Sequence, residues 1–71
     1  MCNILKLKGK IIENGLRQSD IAEAIGIDPA TLSRRLKTGE NFTVAEANKI
    51  TSTLHLTADE ALQIFLPTAV Q

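Results

Sequence analysis

A tight turn between two short amphipathic segments constrains the fold of this chain most strongly. Gly26 follows an apolar segment, at the position where a left-handed residue ends a helix without steric cost. Asp28 can then cap a new helix, and Pro29 occupies the first helical position, where a missing N–H costs nothing. The sequence therefore predicts that one helix ends at Gly26 and the next begins at Pro29.

Aliphatic residues on both sides of the turn predict which faces of these helices are buried. Ile21 and Ile25 lie four residues apart and share one helical face, and Ala22 is small where another helix would cross. Leu32 and Leu36 form the apolar face of the second helix. The outer side of that helix then carries Ala30, Ser33, Arg34 and Lys37.

The N-terminal segment has the apolar periodicity of another helix. Ile4, Leu7 and Ile11 fall on one stripe of a helix that spans roughly residues 3–14. Gly15 follows this segment and is expected to end the helix.

Two capping boxes predict the remaining helices. In Thr43–Glu46 and in Thr57–Glu60, the Thr hydroxyl can accept from the Glu amide while the Glu carboxylate accepts from the Thr amide. These boxes would open a fourth helix that runs to about Leu54 and a fifth that ends before Pro67. The expected apolar faces are Val44, Ala47, Ile50 and Leu54 in the fourth helix and Ala58, Ala61, Leu62, Phe65 and Leu66 in the fifth. No segment alternates apolar and polar residues, so we expect an all-α fold of five helices.

Composition limits the function classes that this chain can serve. Its length of 71 residues predicts one domain, residues 1–71. Hydrophobic residues make up 44% of the chain and charged residues 23%, which is typical of a globular protein. The two aromatic residues, both Phe, argue against a protein that stacks the bases of single-stranded nucleic acid. Short apolar runs predict neither a membrane span nor a signal peptide, and Cys2 has no cysteine partner, so we expect a cytoplasmic protein without a membrane.

The sequence has few residues in the patterns typical of catalytic or metal sites. His55 has no Cys or carboxylate at metal-ligand spacing, and Ser19 and Ser33 have no His near them in sequence. The chain contains no Gly-rich phosphate loop. We therefore expect no enzyme activity, no cofactor and no metal.

Charge is distributed unevenly along the chain although the formal net charge is zero. Residues 1–39 hold seven cations and four carboxylates, an excess of three cations. Residues 40–71 hold one cation and four carboxylates, an excess of three carboxylates. This asymmetry predicts a modest basic face on the half that contains the helix pair.

The helix pair resembles the helix-turn-helix of the Cro and phage-repressor family. The resemblance is carried by Gln18, Ala22, Gly26 and the buried aliphatic positions Ile21, Ile25, Ile27 and Leu32. It extends from about Asn3 to Leu66, with helices four and five matching in length and caps only. The resemblance implies a five-helix lambda-repressor-like DNA-binding domain whose helix-turn-helix spans about residues 18–37 and whose third helix enters the major groove.

The same resemblance implies which residues contact DNA. Base-reading positions of the family correspond to Pro29, Ala30, Ser33 and Arg34. Phosphate-contacting positions correspond to Gln18, Lys37, Asn41 and Thr43, and Arg17 adds a cation beside Gln18.

Three positions depart from the family pattern. Arg17 stands where Ser or Thr commonly caps the second helix, and Pro29 stands where a base-reading Gln is frequent. Arg35 occupies a position that often holds a buried aliphatic, with Leu36 one step later. Direct base readout would therefore depend largely on Arg34.

Two functions follow as hypotheses. The first is a sequence-specific regulator of transcription, of phage or bacterial repressor type, that binds a double-stranded DNA operator as a homodimer. The alternative is a helix-turn-helix antirepressor or modulator that binds a repressor protein. The neutral net charge and the few hydrogen-bond donors on the third helix favour this alternative.

The C-terminal segment predicts a contact surface. A five-helix core can bury one face of the fifth helix, which would leave Ile64 outside it, next to further apolar residues. We expect this segment to form a homodimer interface or to bind a partner repressor. The residues assigned to it are Ile64, Phe65, Leu66 and Val70.

Overall fold

Five α-helices account for most of the residues that the computed structural model describes, which are 3–39 and 42–65. They are α1 (Ile4–Glu13), α2 (Gln18–Ile25), α3 (Pro29–Thr38), α4 (Val44–Leu54) and α5 (Ala58–Phe65). These ranges contain no strand, which confirms the all-α prediction. None of the described helices has the length and apolar character that crossing a bilayer requires.

The turn between α2 and α3 has the predicted geometry. Gly26 has φ 76° and ψ 32°, a left-handed conformation that ends α2. The Asp28 carboxylate accepts a hydrogen bond from the Ala30 amide at 2.7 Å, and Pro29 is the first residue of α3. The caps and the helix boundary at this turn are therefore confirmed.

Both capping boxes are also present. The Thr43 hydroxyl accepts from the Glu46 amide at 3.1 Å, and the Glu46 carboxylate accepts from the Thr43 amide at 2.9 Å. Thr57 and Glu60 form the same pair of bonds at 3.1 and 2.9 Å. Between the boxes, His55 ends α4 with φ 53°.

Arg17 begins α2 without a side-chain cap of its own. The Asp20 carboxylate instead accepts a hydrogen bond from the Arg17 amide at 2.8 Å. One of the amides at this helix start is therefore satisfied by a carboxylate of the first turn, and the Arg17 side chain is left exposed.

The core draws on all five helices, and α2 packs against both α3 and α4. α5 packs on α1, where the Asn3 amide donates to the Ile64 carbonyl oxygen at 2.7 Å. The buried side chains are Leu7, Ile11, Ile21, Ala22, Ile25, Leu32, Leu36, Ile50, Leu54 and Ile64.

Two predicted faces are wrong. Ile64 is 0% exposed and belongs to the core, whereas Leu62 is 50% exposed. α5 packs on α1 with its Ile64 side inward, and two contacts accompany this packing: the Lys10–Glu60 ion pair and the bond from the Asn3 amide to the Ile64 carbonyl oxygen. Val44, the first residue of α4, is 79% exposed.

The surface predicted around Ile64 is therefore corrected. A fully buried side chain contributes nothing to an interface, and Phe65 is only partly buried against the core. Leu66 and Val70 lie outside the described residues, as does Pro67.

Candidate functional site

The outer side of α3 presents small side chains first and cations later. Pro29 and Ala30 are exposed in the first turn, and Ser33 is half-buried one turn further on. Arg34 and Lys37 are exposed in the second half of the helix. Leu32 and Leu36 are buried on the opposite side, so the predicted outer face of α3 is present.

The end of α3 is held by Arg35, which points away from that outer face. Its two guanidinium nitrogens donate to the two oxygens of Glu46 on α4, at 3.0 and 2.9 Å. The guanidinium carbon also lies 4.6 Å from the centre of the Phe42 ring. The hydrogen bonds from Arg35 are the main reason why the pKa of Glu46 falls from 4.5 to about 2.

This contact explains how a charged side chain is accommodated at Arg35. A carboxylate and an aromatic face meet the guanidinium there. Sequence reasoning missed the pair, because its members lie eleven residues apart on different helices.

A second ion pair joins the first and the last described helix. Lys10 on α1 pairs with Glu60 on α5, and Glu13 lies 3.6 Å from the Lys10 ammonium nitrogen. The bond to Glu60 raises the pKa of Lys10, and the bond from Lys10 lowers the pKa of Glu60 to about 2.

These two pairs reduce the charge asymmetry that the sequence predicts. Each one joins a cation of residues 1–39 to a carboxylate of residues 40–71. The basic half keeps its remaining cations on side chains that are exposed or half-buried: Lys6, Lys8, Arg17, Arg34 and Lys37.

Two further predicted phosphate contacts, Arg17 and Gln18, are adjacent at the start of α2. Arg17 is exposed and Gln18 is half-buried, and both line a small cavity of about 160 Å³ between α1 and α2. Lys8 lines the same cavity, so two cations border it. This arrangement suits contact with an anionic surface.

The last two predicted phosphate contacts, Asn41 and Thr43, precede α4 in the sequence. Thr43 is exposed, and its hydroxyl already accepts from the Glu46 amide, which leaves its O–H available as a donor. Asn41 lies outside the described residues.

Sequence reasoning also missed an apolar groove between α4 and α5. Its volume is about 420 Å³, the largest side chains at it are Phe42 and Phe65, and their rings meet edge to face with centroids 6.0 Å apart. Small residues at Ala47 on α4 and at Ala58 and Ala61 on α5, all of which line the groove, are the sequence signal that could have indicated it.

The described residues contain no group of three or more His, Cys, Asp or Glu side chains that could hold a metal ion. Comparison with known proteins gives no match to a family model, to a curated protein or to a solved structure. The function is therefore argued from the geometry of the chain itself.

Proposed function

We propose that this chain binds duplex DNA through α3 and regulates transcription in the manner of a phage or bacterial repressor. The observation that carries the proposal is the division of α3 into two sides. Leu32, Leu36 and Arg35 attach the helix to the rest of the domain, while Arg34 and Lys37 stand on its exposed side.

The shape of the exposed side fits a groove. An α-helix is roughly 10–12 Å across, and the major groove of B-DNA is about 12 Å wide. Pro29, Ala30 and Ser33 are small, so the first turns of α3 can approach the base edges closely. Arg34 comes directly after Ser33 and one turn beyond Ala30, where a guanidinium can donate to O6 and N7 of a guanine.

Phosphate contacts would come from the flanks of the helix pair. Arg17 and Gln18 at the start of α2 and Lys37 near the end of α3 supply cations and amide donors. Thr43 can donate its hydroxyl proton from the start of α4. Such contacts orient a protein on the duplex without reading its sequence.

A protein partner is the second candidate function, and one observation favours it. Lys10 and Arg35 are engaged in ion pairs within the domain, which weakens the basic surface available for DNA. A helix-turn-helix with little excess charge fits a modulator that binds a repressor protein.

Titration of a random-sequence duplex at low salt, followed by fluorescence anisotropy, separates the two functions. We expect the chain to bind the random duplex with an affinity that falls as salt rises. Selection from the same random pool is then expected to enrich a preferred sequence. Absence of binding at low salt would overturn the DNA proposal and leave the repressor-binding alternative.

A further inference from the structure

The outer side of α1 carries two large apolar side chains that do not enter the core. Leu5 is 83% exposed and Ile12 is 75% exposed. Gly9 lies between them, and the intervals of four and three residues place all three within about 60° of one another around the helix. We call these three residues the outer stripe of α1. The buried residues of α1, Leu7 and Ile11, lie on another side of the helix, so packing of the core leaves the outer stripe exposed.

Gly9 is a residue of the outer stripe that the fold of this chain does not require. A Cβ added at Gly9 would meet no atom within 4 Å, and its backbone is not left-handed. Glycine in the interior of a helix lowers the stability of that helix relative to alanine. Between two exposed apolar side chains, however, a glycine leaves a gap in which the backbone of a second helix can approach closely.

The spacing of the outer stripe also fits a helix as its partner. Residues at intervals of four and three form the seam along which two helices pack side by side. Leu5 and Ile12 are separated by the rise of seven residues, about 10.5 Å along the α1 axis. A second helix can therefore cross at Gly9 and contact an apolar side chain on each side of the crossing. A flat bilayer surface would leave the gap at Gly9 unfilled.

Lysines flank the outer stripe on both sides. Lys8 lies on one side and Lys6 on the other, and within residues 3–39 and 42–65 neither lysine forms an ion pair. The carboxylate of α1, Glu13, lies 3.6 Å from the Lys10 ammonium nitrogen. Three lysines against one carboxylate leave α1 basic. A second copy of α1 would meet its own sign here, whereas a helix with carboxylates complements the charge.

We propose that the outer stripe of α1 binds an amphipathic helix of a partner protein, one that carries carboxylates beside its apolar face. Apolar side chains of that helix pack against Leu5 and Ile12, and its backbone passes over Gly9. Its carboxylates pair with Lys6 and Lys8. This surface is on α1 rather than α3, so the inference does not rest on the proposed DNA binding.

A cavity at the end of the outer stripe adds a place for one more apolar side chain. Ile12 lines the cavity of about 160 Å³ between α1 and α2, together with the half-buried Leu16. A cavity of roughly 150 Å³ is large enough to hold benzene. A Leu or Phe of the partner helix, one turn beyond the side chain that contacts Ile12, can therefore enter it.

Titration of the full chain with synthetic helical peptides, followed by fluorescence anisotropy, tests the inference. The first probe is a peptide of about three heptads with Leu on its apolar face and Glu on both sides of that face. The second has the same apolar face and carries Lys in place of each Glu. We expect the Glu peptide to bind with a dissociation constant on the order of 10–100 μM and the Lys peptide to bind at least about tenfold more weakly.

Three variants of the outer stripe locate the contact. Leu5→Glu and Ile12→Gln should each raise the dissociation constant of the Glu peptide by about tenfold or more. Gly9→Ala should raise it by about threefold or more and also raise the melting temperature, a combination that a purely structural role of Gly9 would not produce. A carboxylate at position 5 lies in the first turn of α1, where the helix dipole favours it, and circular dichroism checks the fold of each variant.

Val44→Glu is the matched control. Val44 is also an exposed apolar residue in the first turn of its helix, but that helix is α4, so the same chemical change should leave peptide binding unchanged.

Absence of binding up to about 1 mM Glu peptide would overturn the inference, and so would equal binding of the two peptides. An unchanged dissociation constant for Gly9→Ala would exclude a helix crossing at that residue. Two further measurements test other occupants. Flotation with anionic phospholipid vesicles would assign the outer stripe to a membrane surface if Leu5→Glu abolished vesicle binding and the Glu peptide did not bind. Sedimentation would assign it to a second copy if Leu5→Glu dissociated a dimer. Peptide binding without DNA binding would reject only the proposed function.

Discussion

Arg35 and Glu46 form a two-bonded ion pair that joins the last turn of α3 to the first turn of α4, with nitrogen–oxygen distances of 3.0 and 2.9 Å. The Glu46 oxygen that accepts the shorter bond also accepts from the Thr43 amide at 2.9 Å. A single carboxylate therefore caps α4 and fixes the end of α3. The pair positions the helix that we propose to read DNA.

The first prediction concerns the stability of this pair against acid. The pKa of Glu46 is about 2 in the folded chain against 4.5 ordinarily, so its charged form stabilises the fold above pH 4.5. That contribution is lost as pH falls from 4.5 through about 2. We expect Glu46→Gln to lower the free energy of unfolding by about 1 kcal/mol at pH 7, since solvent partly screens the pair.

Urea denaturation followed by circular dichroism at pH 7, 4 and 3 measures the effect. The difference between wild type and Glu46→Gln should shrink as the pH falls. Glutamine can still accept from the Thr43 amide, so the cap of α4 is retained and only the ionic contribution is removed. A difference that stays constant with pH would show that the ion pair contributes no stability.

Local signals in the sequence were sufficient to predict the helix pair. The conformation of Gly26, the Asp28 cap and the Pro29 start depend on residues within a few positions of each other. The buried positions Leu32 and Leu36 follow from helical spacing alone. The outer face of α3 could therefore be predicted, because it consists of the positions on the side opposite Leu32 and Leu36.

Long-range contacts determined what the sequence could not predict. The face of α5 that carries Ile64 is buried where this helix packs on α1, a contact between the first and last described helices. The spacing of apolar residues in α5 is compatible with more than one buried face. The role of Arg35 was missed for the same reason, because its partner Glu46 lies on another helix.

The second prediction contrasts two glycines. Gly26 has φ 76°, and a Cβ added there would meet no atom within 4 Å, so the cost of substitution is conformational. We expect Gly26→Ala to lower the free energy of unfolding by roughly 1–2 kcal/mol, and Gly26→Val by more because its side chain is branched at Cβ.

Gly9 provides the control for this prediction. It lies within α1 with open space around it, so Gly9→Ala should raise the free energy of unfolding by roughly 0.5–1 kcal/mol. Thermal or urea denaturation of the variants measures both effects. Equal stability of Gly26→Val and wild type would contradict the left-handed turn.

The third prediction concerns Lys37 as a phosphate contact. Removing one such cation should reduce the slope of log binding constant against log salt concentration by about one, because one fewer counterion is released. We expect this change for Lys37→Ala, with the sequence preference retained. Lys49→Ala is the matched control, since Lys49 is exposed on α4 outside the proposed surface and should leave the slope unchanged. An unchanged slope for Lys37→Ala would remove Lys37 from the interface.

The last prediction uses two adjacent arginines with different roles. Arg34 is exposed on the outer side of α3, whereas Arg35 binds Glu46 and lies over Phe42. We expect Arg34→Ala to weaken binding to the selected duplex by roughly 1–3 kcal/mol and to relax the preference at one base pair. Arg35→Ala should instead lower the melting temperature, because it leaves the Glu46 carboxylate without its ionic partner. Anisotropy titrations on the selected and random duplexes, beside thermal melts of both variants, separate base reading from folding. If Arg34→Ala weakened binding to both duplexes equally, Arg34 would contact phosphate rather than a base.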